Sequence, residues 1–313
     1  MKKKTKIILG ICAILIVLFT GVLGVAGNYF YTLAIDANSD KSAVFGSGGG
    51  DSEAQKTVDL AFENLQKHGM EDVYHTDKDG YRLHAYELRN KNKPWVIIVH
   101  GYMSEARNMS EVANSFYDQG YQILMPDLRS HGLSEGDAIG MGAWDSEDIV
   151  EWIDTIVKQE PNAKIILYGV SMGASTVMMT TGKELPSNVA AAIEDCGYTS
   201  AWDEFSYQLD ALFGLPSFPA LDAANLITKL RAGYNLKDAD ALEAVRRSKT
   251  PMLFIHGDQD DFVPSSMVEP LYEAASSEKA LYIVKGAGHG EARSVDPTRY
   301  WKEVYGFINR YIG

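Results

Sequence analysis

Short apolar runs alternate with amphipathic stretches along most of this chain. The apolar runs predict strands near residues 73–76, 81–88, 95–100, 121–126, 164–169, 190–195, 252–256 and 280–284. Apolar residues at helical spacing predict helices near residues 53–67, 106–119, 144–158, 172–183, 265–276 and 298–312. The central strands are almost continuously apolar, which is typical of a parallel sheet that is covered on both faces. The pattern therefore predicts an α/β fold with a mostly parallel central sheet and helices on both sides.

The alternation is interrupted between about residues 198 and 249. This segment is rich in large apolar side chains, and it is too long for a connection within a compact domain. It predicts a small helical cap inserted over the ends of the strands.

The N-terminus has a different pattern. Four lysines within the first six residues precede an uncharged apolar run from Ile7 to Gly27, and these 21 residues are long enough to span a bilayer. The lysines favour the cytoplasmic side, so the rest of the chain is expected outside the cell. The alternative is a signal peptide cleaved after Val25-Ala26-Gly27.

These segments predict three parts of the chain. Residues 1–31 are the membrane anchor or signal peptide, and a glycine- and serine-rich flexible tether follows over residues 32–52. Residues 53–313 form one domain that carries the cap. The oligomeric state is not predicted.

The charge of the chain narrows its possible partners. The net charge is −13, and it is more negative still without the N-terminal lysines, which argues against nucleic acid as a partner. No dinucleotide or phosphate-loop motif is present, so no cofactor is expected. The acidic run 258–261 lacks the ligand spacing of a calcium loop, and no metal site is expected.

One motif indicates chemistry. The sequence Gly169-Val170-Ser171-Met172-Gly173 follows a predicted strand and begins a predicted helix, which is the context of a nucleophile elbow. A serine hydroxyl is a weak nucleophile, and it needs a sharp turn that exposes it and a base that takes its proton. Ser171 is therefore the predicted nucleophile.

An acid and a base follow in the order that this architecture uses. Asp260 comes after the strand at 252–256, and His289 lies in a glycine-rich loop after the strand at 280–284. Carboxyl ends of strands are where the functional groups of open α/β sheets collect. Asp195, at the end of the preceding strand, is the alternative acid.

Two backbone N–H groups are predicted to stabilise an oxyanion. One belongs to Met172, the residue after the nucleophile, and the other to Tyr102, in the loop after the strand at 95–100.

Five motifs in order resemble the α/β-hydrolase superfamily of serine esterases and lipases, over about residues 73–313. They are His100-Gly101-Tyr102, the block 126–134, the Ser171 elbow, the block 256–264 and Gly288-His289. The block 256–264 resembles H-G-x-x-D-x-x-V-P, which implies that the acid is Asp260. The block 126–134 resembles D-x-R-G-H-G-x-S with Ser130 in place of a glycine, which is expected to be tolerated. More narrowly, the chain resembles membrane-anchored bacterial hydrolases with a short helical cap.

The expected activity is hydrolysis of short-to-medium acyl esters or a lipid through an acyl-enzyme on Ser171. Phe213 and Phe218 of the cap are the predicted lining residues of an acyl pocket, because an apolar wall favours hydrocarbon. Alternatively, these aromatic side chains only pack the cap on the sheet domain. The other functions considered are a peptidase or amidase on the same triad and a non-catalytic cell-surface binding protein, which would need no intact triad.

Overall fold

The centre of the protein is an eight-stranded sheet with the strand order β1-β2-β4-β3-β5-β6-β7-β8, seen in a computed structural model that describes residues 3–41 and 52–312. The strands are β1 (Glu71–Thr76), β2 (Arg82–Leu88), β3 (Trp95–Val99), β4 (Gln122–Pro126), β5 (Ile165–Val170), β6 (Val189–Asp195), β7 (Met252–Gly257) and β8 (Lys279–Val284). The pairs β1–β2 and β2–β4 are antiparallel, and all others are parallel. All eight predicted strands and the mostly parallel sheet are confirmed.

Helices cover both faces of this sheet. They are α1 (Lys3–Ala34), α2 (Ser52–Lys67), α3 (Ser110–Asp118), α4 (Asp145–Gln159), α5 (Met172–Thr181), α6 (Ala201–Phe213), α7 (Ser217–Arg231), α8 (Ala241–Arg247), α9 (Val268–Ala274), α10 (Ala292–Val295) and α11 (Pro297–Ile308). Strand β3 shows how the layers form: Trp95, Ile97 and Val99 join the core on one side, and Val96 and Ile98 join the core on the other. Alternate residues of a strand point to opposite faces, so a continuously apolar strand fills two cores.

Three helices lie within the predicted cap insertion. Helix α6 is capped at its start by Ser200, whose hydroxyl accepts the Asp203 N–H, and at its end by Gly214 in the left-handed conformation, with φ 62°. Helix α8 packs on α5, since a Cβ on Gly182 would lie 2.7 Å from Ala244. The part of the insertion that covers the strand ends is therefore α6 and α7.

Helix α1 has two different surroundings along its length. Most of its large apolar side chains from Ile7 to Val25 are more than half exposed, and the helix is long and apolar enough to cross a membrane. From Gly27 onward the helix packs on α7: a Cβ on Gly27 would lie 2.6 Å from the Ala223 carbonyl oxygen, and Tyr31 is buried. The exposed and the packed parts belong to one continuous helix.

The predicted flexible tether differs from the structure in its first ten residues. Helix α1 continues to Ala34, Ile35 is fully buried, and its carbonyl accepts the Ile139 N–H at 2.8 Å. Asp36 forms a β-bridge with Ala138. The apolar side chains in this stretch fill the core beside the cap, so residues 32–41 are part of the folded protein. The remaining tether residues, 42–51, lie outside the described residues.

Candidate active site

The turn at Ser171 is strained and tightly enclosed. Ser171 lies between β5 and α5 with φ 57° and ψ −123°, a backbone conformation that costs energy for a residue with a side chain. A Cβ on Gly169 would lie 2.2 Å from the Gly173 carbonyl oxygen, and one on Gly173 would lie 2.2 Å from the Val99 carbonyl oxygen. Glycine at both positions lets strand and helix meet, and the serine is left at the top of the sheet.

The structure brings Ser171, His289 and Asp260 together. His289 Nε2 lies 2.9 Å from Ser171 Oγ, and His289 Nδ1 lies 2.8 Å from Asp260 Oδ2. The other carboxylate oxygen of Asp260 accepts the N–H groups of Phe262 and Val263, at 3.0 and 2.9 Å. These bonds orient the carboxylate toward the imidazole, so the three predicted residues form one hydrogen-bonded chain.

Asp260 is held in its ionised form. Burial opposes ionisation, but hydrogen bonds from His256 and His289 outweigh it and lower the pKa of Asp260 to about 2. His256 Nε2 lies 3.3 Å from Asp260 Oδ2. Burial lowers the pKa of His256, and Asp260 and Glu194 more than reverse this effect, so its pKa is raised overall. His256 therefore contacts the Asp260 carboxylate directly.

The alternative acid, Asp195, has another partner. Its Oδ2 accepts a hydrogen bond from the Tyr300 hydroxyl at 2.7 Å, and that hydroxyl also lies 2.7 Å from the Tyr168 hydroxyl. Burial raises the pKa of Asp195 to about 6. The carboxylate that bonds to His289 is that of Asp260, so the geometry favours Asp260 as the acid.

The two predicted oxyanion-hole residues lie beside Ser171. Met172 is the first residue of α5, where backbone N–H groups have no acceptor within the helix. The loop after β3 passes against the serine, since a Cβ on Gly101 would lie 3.3 Å from Ser171 Cβ. Tyr102 follows in that loop and shares a cavity wall with Ser171, while its hydroxyl donates to the Ala34 carbonyl at 2.8 Å. Their role as donors to an oxyanion stays a prediction.

An apolar cavity opens onto Ser171. Its volume is about 850 Å³ when its open mouth is counted. Apolar side chains from three helices contribute to its wall: Phe30, Leu33 and Ala34 of α1, Phe205, Leu209, Leu212 and Phe213 of α6, and Leu221 and Ala224 of α7.

Of the two predicted lining residues, only Phe213 borders this cavity. Phe218 is 74% exposed and lies outside the cavity wall. Its backbone is extended, with φ −88° and ψ 133°, because the residue before a proline, here Pro219, is disfavoured in the helical conformation. This break at the start of α7 accompanies the outward position of the side chain, and the prediction for Phe218 is therefore wrong.

The family follows from comparisons with known proteins. A family model described as "Serine aminopeptidase, S33" matches residues 90–205. The uncharacterized protein YqkD of Bacillus subtilis (strain 168) is 30% identical over 253 residues, which cover 80% of this chain and 81% of YqkD. This chain belongs to the α/β-hydrolase family. The expectation from the five motifs is thereby confirmed.

Solved structures of other proteins have a fold similar to that of this hydrolase. The esterase Pf2001 of Pyrococcus furiosus superposes with a TM-score of 0.66 and 21% identity, over 80% of this chain and 95% of the esterase. A bacterial membrane phospholipase A superposes with a TM-score of 0.59 and 15% identity, over 98% of each chain. The second match includes the N-terminal helix.

Two parts of the hydrolase site were not predicted from sequence. The first is the end of α1, because the aromatic residues at 29–31 fit a membrane-interface belt equally well. The second is Glu204 of α6, which lines the cavity and is only 4% exposed. Its Oε1 accepts from Gln208 at 3.0 Å, while its Oε2 has no hydrogen-bond partner among the described residues. Burial raises the pKa of Glu204 to about 8, which favours its neutral form near pH 7.

Three side chains of the kinds that bind metals also lie close together at this site. The ligand atoms of Cys196, Asp260 and His289 lie within 4.8 Å of one another. Both nitrogens of His289 are already hydrogen-bonded, and burial raises the pKa of the Cys196 thiol, which disfavours the thiolate that binds metals. The arrangement of these three side chains is therefore better explained by the hydrogen bonds of the site than by metal binding.

Proposed function

We propose that this α/β hydrolase is a serine esterase that forms an acyl-enzyme on Ser171. The supporting observation is the hydrogen-bonded chain from Ser171 through His289 to the ionised Asp260, placed at an apolar cavity. In this arrangement the histidine acts as a base that accepts the proton of the serine hydroxyl. The aspartate orients the imidazole and stabilises the imidazolium that forms.

The reaction has two steps in this proposal. His289 Nε2 takes the Ser171 hydroxyl proton while Oγ attacks the ester carbonyl carbon, and the Tyr102 and Met172 N–H groups stabilise the oxyanion. The bond to the alcohol breaks, and the alcohol leaves with the proton held by His289. In the second step His289 takes a proton from water while the water oxygen attacks the acyl carbon. The bond to Ser171 Oγ then breaks, the proton returns to the serine, and the carboxylic acid leaves.

The cavity supports acyl esters as the substrate class, with short-to-medium chains or a lipid. An apolar wall stabilises hydrocarbon by about 0.8 kcal/mol for each buried methylene. The structural likeness to an esterase agrees with this choice. The second candidate is a peptidase or amidase, which the description of the matching family model favours. The mostly apolar cavity favours esters, since it offers few partners for the polar groups of a peptide.

We further propose that α1 is a retained membrane anchor with the catalytic domain outside the cell. The continuous helix supports retention, because its last turns pack into the protein and line the cavity. The N-terminal lysines support the orientation.

Replacement of the nucleophile tests the proposed chemistry. Ser171→Ala should reduce the specificity constant for a soluble ester by at least about four orders of magnitude, because no acyl-enzyme can form. Ser175→Ala, in the next turn of α5, is the matched control for a lost serine hydroxyl, and its folding is checked by circular dichroism. If the Ser171→Ala variant still hydrolyses the ester, Ser171 is not the nucleophile and the proposal is wrong.

A further inference from the structure

Helix α1 fixes where a membrane surface would lie on this protein. The apolar run from Ile7 to Gly27, whose large side chains up to Val25 are mostly exposed, is about 30 Å long in a helix, which matches the hydrocarbon thickness of a bilayer. At Gly27 the helix meets Ala223 of α7. The cap therefore begins where the helix leaves the lipid.

The segment from the end of α6 to the start of α7 presents an apolar surface at this level. Four of its side chains are exposed although they are large and apolar: Leu212 (46%), Phe213 (36%), Leu215 (40%) and Phe218 (74%). The Phe213 ring lies 5.4 Å from the Phe30 ring and 6.5 Å from the Tyr29 ring, measured between centroids. We call residues Leu212, Phe213, Leu215 and Phe218 the cap tip.

Charge indicates what the cap tip contacts. Residues 211–221 carry no charge, although the whole chain has a net charge of −13. A cluster of exposed aromatic and aliphatic side chains in an otherwise acidic protein is favourable only against another apolar phase. The bilayer that would hold α1 is such a phase, and it is continuous with the contact between α1 and Phe213.

The cavity connects this surface with the nucleophile. Phe30 and Leu33 of α1, Leu212 and Phe213 of the cap tip, and Ser171 all line this cavity. An acyl chain that leaves the bilayer beside α1 would thus meet a mostly apolar wall on its way to Ser171.

We propose that the cap tip inserts into the bilayer beside α1, and that the acyl chain of a membrane lipid ester enters the cavity directly from the bilayer. The route of the substrate rests on the proposed esterase function, whereas the insertion of the cap tip does not. The chemistry is that of the two-step hydrolysis above, with a lipid alcohol as the leaving group.

The first experiment measures the insertion. Full-length protein with Cys12→Ser and Phe218→Cys carries a nitroxide label and is reconstituted in phosphatidylcholine vesicles. The matched control is Leu60→Cys in the same background, because Leu60 is 67% exposed on α2, which packs on the opposite face of the sheet. The label at position 218 should be accessible to oxygen and shielded from a water-soluble nickel complex, and the label at 60 should show the reverse.

Equal exposure of both labels to nickel would overturn the insertion. Shielding at 218 that disappears as protein is diluted in the vesicles would also overturn it, because it would indicate a second copy of the chain as the partner. Shielding that is independent of dilution supports the bilayer.

The second experiment measures the route. Phe218→Asp should lower hydrolysis of a lipid ester in the same vesicles at least tenfold, while hydrolysis of a water-soluble ester changes less than twofold. Leu60→Asp should change neither rate. Equal losses on both esters, or no loss on either, would contradict lateral entry. Absence of all ester hydrolysis in the unmodified protein would contradict the esterase function, and the label measurement would still decide the insertion.

Discussion

Ser171 depends on three glycine neighbours for its position. A side chain on Gly169 or Gly173 would collide with backbone of the elbow or of the loop beside it, and one on Gly101 would make a tight contact with Ser171 Cβ. The elbow motif could be recognised from sequence because it encodes this backbone geometry locally. Ser130 shows the limit of such a pattern: it stands at φ 68° where the family pattern has glycine, and its hydroxyl donates to the Ala138 carbonyl at 2.8 Å. A local hydrogen bond thus accompanies the strained conformation.

The choice of the acid gives a prediction at the same scale. Asp260→Asn should lower kcat/KM by about four orders of magnitude, because an amide cannot hold the imidazole in the right tautomer and charge. Asp195→Asn should leave kcat/KM within about threefold, since its carboxylate bonds to Tyr300. The measurement is the rate on a soluble ester. Near-normal turnover in Asp260→Asn would assign the acid elsewhere.

Asp195→Asn should instead alter how stability depends on pH. Burial raises the pKa of Asp195 in the folded protein to about 6, above its unfolded value. The folded state therefore binds the proton more tightly and loses stability as pH rises from about 4 to about 6. The asparagine variant should lack this loss in melting temperatures measured across that range. An unchanged profile would show that Asp195 titrates normally.

At the scale of elements, the sheet and its helices could be predicted because strand and helix periodicities are local properties of the sequence. The direction in which cap side chains point could not, since it depends on how α6 and α7 pack against α1. Phe213 and Phe218 look equivalent in sequence, yet one lines the cavity and the other faces outward. The docking of α1 on the cap was missed for the same reason, because it joins segments almost 200 residues apart.

Phe213 and Phe218 allow a matched test of whether the cavity binds acyl chains. Wild-type specificity constants should rise by up to about two orders of magnitude over four added methylenes, at about 0.8 kcal/mol each. Phe213→Ala should weaken or shift this chain-length profile, and Phe218→Ala should preserve it for water-soluble esters. Rates for acetyl through decanoyl esters measure the effect. A flat wild-type profile, or a Phe213→Ala variant that loses only thermal stability, would mean that the cavity does not select acyl chains.

At the scale of the whole molecule, helix α1 and the domain that follows it form one structural unit. The end of α1 is a wall of the cavity, so the part predicted to hold the protein in the membrane also shapes the site. Protein isolated from membranes should therefore keep its N-terminus. An amine-reactive reagent that cannot cross membranes should modify domain lysines in intact cells. A secreted form beginning near Asn28 would show that the N-terminal segment is a cleaved signal peptide, and labelling only after lysis would place the domain inside.

The central claim is that Ser171 is an activated nucleophile, and covalent capture tests it most directly. Native protein incubated with a fluorophosphonate should gain one adduct, and peptide mass spectrometry should locate it on Ser171. Heat-denatured protein should gain none, because the reactivity depends on His289 and Asp260 being in place. An adduct on another residue, or active protein that gains no adduct, would contradict the account.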